Sequence, residues 1–348
     1  MAIIVQSTAV QEQKATAIGN ATGLEGLWLV LAAFVAILFV GGIAATAIAI
    51  GLLSLLFPEM GALASDVFTR PSGTWSRAPV HLVVTPGVAA MLGVLIAQHV
   101  HYGYLSVLLA VGSAIAVLKM LRSPIGPSIS AALLPVIFEE RSWWYPAAVF
   151  VGAASLAFLS GVWKRSPGVA CRALPAAREV ATFGKSQEHD EGGYLGLIAL
   201  GIFLTLSVLL VNLTGLHLLL FPPLAVIAFE MFNNPRTCLW ADRPLLMPLA
   251  CFLTATGGLC AGKLWGVSVI AAAASMAWGF AVVWVLRIHL PPATAVALIP
   301  LIAKQPTYMF PVSVAAGALL LTICYWGYRW VVATHLTLLA RAPSVGRA

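Results

Sequence analysis

The chain has 348 residues, of which 61% are hydrophobic and only 9% are charged, and its formal net charge at neutral pH is +7. A soluble domain carries about a quarter charged residues, and its core cannot hide this much apolar surface. Composition therefore excludes an ordinary soluble domain and predicts an all-α integral membrane protein.

The positive charge does not indicate nucleic-acid binding, because the basic residues stand singly between apolar runs, as topology-setting charges do. The five cysteines form no Cys-x-x-Cys pair, and no hydrolase, zinc-protease or P-loop pattern occurs. We therefore expect no metal site, no cofactor, no nucleic-acid partner and no enzymatic activity.

Residues 1–26 are polar and mixed, and they predict a tail without the apolar core of a secretory signal. Eight apolar runs follow, each long enough to span a bilayer as a helix. They are residues 27–57, 80–98, 104–121, 143–163, 194–220, 245–262, 265–286 and 309–332.

Four shorter apolar stretches, each containing proline, lie between these runs. They are residues 58–69, 124–138, 222–232 and 291–302. Their length predicts short, tilted or broken helices, and a membrane protein tolerates irregular backbone only against protein or a watery cavity.

A polar stretch, residues 164–193, predicts a cytoplasmic linker between two transmembrane halves, 27–163 and 194–332, with a tail at 333–348. At an offset of 165, seven of the seventeen residues in 121–137 recur identically in 286–302. We therefore predict two tandem repeats of about six segments each, four full and two short, an arrangement that is common in transporters.

The placement of the basic residues predicts the orientation of the chain. With six segments in each half and the N-terminus inside, 16 of the 19 Lys and Arg residues lie inside. Treating the short segments as re-entrant loops spoils this bias. Because six crossings give both halves the same orientation, we expect a pseudo-twofold axis along the membrane normal, cytoplasmic termini and a location in the cell (inner) membrane.

Residues 287–299 read Arg-Ile-His-Leu-Pro-Pro-Ala-Thr-Ala-Val-Ala-Leu-Ile and resemble the signature of the HPP family of integral membrane proteins. Residues 221–258 and 58–93 resemble the region that precedes this signature in the family. In this chain a leucine separates the histidine from the proline pair, and the counterpart at 123–127 has no histidine. Plastid relatives are described as nitrite transporters, so the resemblance implies a similar small-anion task here.

The starts of two proline-led short helices form the predicted binding site. Proline suits the first turn of a helix, whose free amides and dipole favour an anion. Nearby hydroxyl and imidazole groups can donate hydrogen bonds, and two arginines can attract anions. The candidate residues are Arg122, Pro127, Ser128, Ser130, Arg287, His289, Pro292 and Thr294. The competing interpretation is that the prolines kink buried helices, the histidine is interfacial and the arginines only set topology.

Three carboxylates, Glu59, Asp66 and Glu230, lie in or at the ends of the first short segment of each half. They fit either a proton relay or salt bridges to Arg77 and Arg243. Together these features favour a transporter or channel for a small inorganic anion, with nitrite as the first candidate. The alternatives are a non-transporting scaffold or subunit, and an intramembrane enzyme. The expected partners are the lipid bilayer and a small anion, and homo-oligomerisation is left open.

Overall fold

A computed structural model describes residues 23–166, 169, 193–235, 238, 240–303 and 307–341. Within these ranges every regular element is helical. The predicted N-terminal tail lies almost wholly outside the described residues, as does most of the predicted linker.

Seven helices form the first half of the described chain. They are α1 (Gly23–Ala49), α2 (Glu59–Thr69), α3 (Thr74–Arg77), α4 (Pro79–His99), α5 (Tyr104–Met120), α6 (Ser128–Phe138) and α7 (Trp144–Arg165). Six helices form the second half. They are α8 (Gly193–Thr214), α9 (Pro222–Asn233), α10 (Leu246–Trp265), α11 (Val269–Val285), α12 (Pro291–Ile302) and α13 (Phe310–Arg341). Apart from the one-turn helix α3, both halves follow the order long, short, long, 17-residue, short, long.

The first helix of each half ends before its predicted end. Gly51 and Gly215 take φ angles of 69° and 70°, which glycine adopts without steric cost. The chain therefore leaves α1 and α8 there and forms a short 3-10 turn before α2 and α9. The last helix is longer than predicted, because α13 continues past the predicted end at Val332 to Arg341.

Among the described helices, six are long and apolar enough to cross a bilayer, namely α1, α4, α7, α8, α10 and α13. Helices α5 and α11, which were also predicted to span, have 17 residues each and reach roughly 25 Å, at the lower limit for a membrane-spanning helix. Large apolar side chains such as Met120 and Phe158 are 82% and 72% exposed on the outside of the bundle. The protein is therefore a multi-pass membrane protein, with lipid as the solvent of this surface.

The four predicted short segments form the interior of the bundle. Nearly every side chain of α2, α6, α9 and α12 is buried. Helix α2 of the first half packs against α12 of the second, and α6 packs against α9. The short helices are thus shielded from lipid, as their proline content predicts.

Two glycines allow long and short helices to pack backbone against backbone. A Cβ atom at Gly93 would lie 2.3 Å from the carbonyl oxygen of Ala132, and one at Gly258 would lie 2.0 Å from that of Ala297. These contacts hold α4 against α6 and α10 against α12, a use of glycine that is common between membrane helices.

Several helix ends meet at one end of the bundle, which we name the basic end. The indole N–H of Trp163 donates to the carbonyl of Phe68 at 3.2 Å, and Lys164 donates to the carbonyl of Ser76. The end of α2, α3 and the end of α7 therefore lie together. The basic end carries Arg70, Arg77, Arg122, Lys164 and Arg287. The opposite end holds the 3-10 turns and the loop at residues 139–143.

Candidate functional site

Three ionisable side chains join the two halves at the basic end, and we name Asp66, Arg70 and His289 the charged cluster. Arg70, the residue directly after α2, donates through Nη1 to Asp66 Oδ1 at 3.2 Å. His289, just before α12, places Nε2 3.1 Å from Asp66 Oδ1 and 3.0 Å from Arg70 Nη1. The side chain of Asp66 is 5% exposed, that of His289 25% and that of Arg70 44%, so the cluster leads from the surface into the interior.

The imidazole of His289 can serve only one of its two partners at a time. Nε2 accepts from Arg70 when the proton is on Nδ1, and it donates to Asp66 when it carries a proton itself. Burial lowers the pKa of His289, and this outweighs the hydrogen bond to Asp66, which acts in the opposite direction. A neutral imidazole therefore accompanies the Asp66–Arg70 ion pair at neutral pH.

Two hydroxyl groups continue the polar region inward from the charged cluster. Thr294 in the first turn of α12 donates to the carbonyl of Pro291 at 2.8 Å and lies 3.4 Å from Ser65 Oγ on α2. Thr294 is 1% exposed and Ser65 is 4% exposed. Gly61 allows this close approach of the helices, because a Cβ there would lie 2.8 Å from a methyl carbon of Leu298.

The start of α6 is arranged differently. Ser128 and Ser130 are fully buried, and neither hydroxyl has a hydrogen-bond partner among the described residues. Just before this start, the backbone at Gly126 meets α9, because a Cβ there would lie 2.7 Å from Glu230 Oε1. The other carboxylate oxygen of Glu230 accepts from Asn234 Nδ2 at 2.9 Å.

The predicted residues lie at the starts of two different short helices, each with its own neighbours. His289 and Thr294 contact α2, and Pro292 is the second residue of α12. Ser128 and Ser130 lie in the first turn of α6, directly after Pro127, and α6 packs against α4, α5 and α9. A single anion site shared by both helix starts stays a prediction.

Arg122 and Arg287 lie exposed at the basic end, each two residues after the end of a 17-residue helix. Their φ angles are 48° and 51°, in the left-handed region. In both cases the arginine amide bonds to the carbonyl three residues back, and the next amide bonds to the carbonyl five residues back. Glycine is the usual residue at this position, and a side chain there costs about 1 kcal/mol. The backbone conformation therefore does not explain why arginine occupies these two positions. Its positive charge is the property that distinguishes it there.

The carboxylates have partners other than the arginines suggested by the sequence. Asp66 pairs with Arg70 instead of Arg77, and Glu230 accepts from Asn234. In both cases the partner is four residues later, a spacing that brings side chains together on a helix and that the sequence already displays. The contact with His289 had no such signal, because it joins residues 223 positions apart.

Glu59 differs from the other two acids. It is the first residue of α2 and is 1% exposed, and both of its carboxylate oxygens lack a hydrogen-bond partner among the described residues. An unpaired polar group at such depth is costly and calls for a functional explanation.

Comparison with protein-family models matches residues 19–170 to the HPP transmembrane region. The match spans α1 to α7 and includes residues 58–93, one of the two regions that resemble the family before its signature. The His-Leu-Pro-Pro signature at 287–299 lies outside the matched range. No curated protein and no solved structure matches the chain. The first half of the chain thus matches the HPP transmembrane region and is similar to that family.

Proposed function

We propose that this protein is a multi-pass transporter or channel for a small inorganic anion, with nitrite as the first candidate, and that it is not an enzyme. The observation that carries the proposal is the buried polar region between α2 and α12, where Asp66, His289, Ser65 and Thr294 meet inside an otherwise apolar bundle. Ionisable groups inside a membrane domain are costly and mark ion or substrate pathways.

An anion fits this region better than a cation. The carboxylate of Asp66 is already neutralised by Arg70. Arg122 and Arg287 are exposed at the same end and raise the local concentration of anions. Helix α12 begins beside the charged cluster, and the positive end of its dipole favours negative charge. The buried hydroxyl groups of Ser65 and Thr294 continue the polar region deeper in the bundle.

A tandem duplication with a pseudo-twofold axis is part of the proposal. It is supported by the common order of helix lengths and by two pairs of features separated by 165 positions. One pair is the close contact of Gly93 with Ala132 and of Gly258 with Ala297, and the other is the left-handed conformation of Arg122 and Arg287. The excess of basic residues at one end supports cytoplasmic termini in the cell (inner) membrane.

One observation favours a second candidate, an intramembrane enzyme. Asp66 and His289 form a titratable pair within hydrogen-bond distance, as acid–base catalysis requires. Arg70 contacts both members of this pair, which favours binding of a charged ligand over proton abstraction. A passive scaffold is less well supported, because it gives no reason to bury the unpaired hydroxyls of Ser128 and Ser130.

Anion flux into proteoliposomes tests the proposal. Purified protein is reconstituted, and entry of nitrite, nitrate, formate and chloride is compared with entry into protein-free vesicles. We expect at least one of these anions, nitrite first, to enter faster with the protein present. Equal rates for all four anions with and without the protein would reject the transport function.

A further inference from the structure

The unpaired acid Glu59 lies at the opposite end of α2 from the charged cluster. Its neighbour Pro58 lines a pocket of about 90 Å³ at that end of the bundle. The pocket is formed by both halves of the chain, and its lining includes Leu53, Phe57, Phe138, Glu140, Tyr145 and Ile302. The carboxyl group of Glu59 is therefore buried in protein, and the preceding residue lines the pocket.

Among the residues that the structure describes, no group forms a hydrogen bond or an ion pair with the carboxylate of Glu59. Tyr145 on α7 is the titratable group near Glu59, and Glu140, just before α7, acts electrostatically on the same tyrosine hydroxyl as Glu59 does. That hydroxyl already donates to the carbonyl of Ala131 at 3.0 Å. An ionised carboxylate without a partner costs several kcal/mol in such a site, so the neutral acid is the form that fits.

Glu59 and Asp66 lie on one face of α2. A separation of seven residues is close to two helical turns, which aligns the two side chains about 10 Å apart along the axis. One helix therefore carries an acid beside the pocket at one end and the Asp66–His289 pair at the other. Because 164 positions later the chain has Pro223, Glu59 has no counterpart acid in the second half.

We propose that Glu59 is the proton-carrying residue of this protein and that it couples anion movement to protons. This inference rests on the proposed function. In each cycle, Glu59 binds one proton from water in the pocket and later releases one proton to water. No other proton donor or acceptor is required. One proton moving with one monovalent anion makes transport electroneutral, which avoids carrying a net charge through lipid.

Infrared difference spectroscopy tests the protonation without any substrate. Reconstituted protein is titrated from neutral to alkaline pH, and the carbonyl band of protonated carboxylic acids is followed. In the wild type, we expect one such band to disappear as the pH rises. The same band should be absent from E59Q at every pH. It should behave as in the wild type in E139Q, a control at an exposed acid of the same end. Identical difference spectra for wild type and E59Q would overturn the proposal.

A coupling measurement tests the role of the proton. Nitrite accumulation driven by a pH gradient is compared with exchange of labelled nitrite at equal concentration on both sides. For E59Q we expect gradient-driven accumulation to fall at least tenfold while exchange continues, and for E139Q both should equal the wild type. Gradient-driven accumulation by E59Q at the wild-type level would overturn the coupling. Absence of any flux in the wild type would instead reject the proposed function and the coupling together. The infrared titration would then still show whether Glu59 is protonated, because it requires no transport.

Discussion

The charged cluster places a histidine from the second half of the chain beside an acid and a base from the first half. His289 comes from the loop before α12, whereas Asp66 lies near the end of α2 and Arg70 directly follows that helix. Only folding brings these groups together. The cluster therefore links the proposed binding region to the packing of the two halves, and substitutions there should affect both stability and transport.

Burial of the His289 imidazole has a consequence for stability as a function of pH. Because its pKa is lowered in the folded protein, the unfolded chain takes up a proton first as the pH falls below about 6.5. We expect the unfolding midpoint in detergent to decrease with falling pH in this range. The decrease should be smaller in H289N, and H101N should retain the wild-type profile because that residue is exposed. A wild-type pH dependence in H289N would contradict this expectation.

The left-handed arginines allow charge and conformation to be separated. R122G and R287G remove a side chain from a backbone position that favours glycine, so we expect stability to be unchanged or to rise by about 1 kcal/mol. Anion flux should nevertheless decrease, because the attracting charge at the basic end is lost.

Thermal unfolding and flux of each variant provide the two measurements. R122K and R287K retain the charge and should retain most of the flux. Strong destabilisation of the glycine variants, or flux equal to the wild type, would mean that the arginines do not act through their charge.

At the scale of helices, glycine contacts fix how closely the short helices lie against their long neighbours. A Cβ atom at Gly93 or Gly258 would meet the backbone of the facing helix, which cannot move aside as a flexible side chain can. We expect G93A and G258A each to destabilise the protein by about 1–3 kcal/mol, the usual range of overpacking in a close-packed interior.

A matched control is available on α5. No atom lies within 4 Å of a Cβ built at Gly112. Since alanine is the better helix former, G112A should leave stability unchanged or raise it by about 0.5–1 kcal/mol. Thermal unfolding in detergent distinguishes these outcomes. Equal midpoints for all three variants would show that the close helix contacts do not require glycine at positions 93 and 258.

The sequence predicted the helical elements better than their ends. Apolar runs and prolines located the short helices within a few residues, since composition and proline geometry act locally. The early ends of α1 and α8 depend on positive φ at single glycines, and not every glycine in these runs has this role. The contact between Asp66 and His289 depends on the packing of α2 against α12, which no local pattern encodes.

At the scale of the whole molecule, the basic end gives the proposed orientation a direct test. We expect this end to face the cytoplasm and the loop containing Glu139 and Glu140 to face outward. Single cysteines at Arg122 and Glu139, in a background with the native cysteines replaced, should react differently with a membrane-impermeant thiol reagent. Labelling of the position 139 cysteine alone in intact cells agrees with this orientation, and labelling of the position 122 cysteine alone contradicts it.

The polar region between α2 and α12 is the feature on which the transport function depends most, and Thr294 tests it most directly. T294V keeps the shape of the side chain but removes the hydroxyl that lies beside Ser65. Its control is T205V, at a lipid-exposed threonine that bonds only within its own helix. In proteoliposomes containing equal amounts of folded protein, we expect nitrite flux to fall roughly tenfold in T294V, equivalent to about 1.4 kcal/mol, and to remain at the wild-type level in T205V. Wild-type flux in T294V would show that anions do not pass along this region.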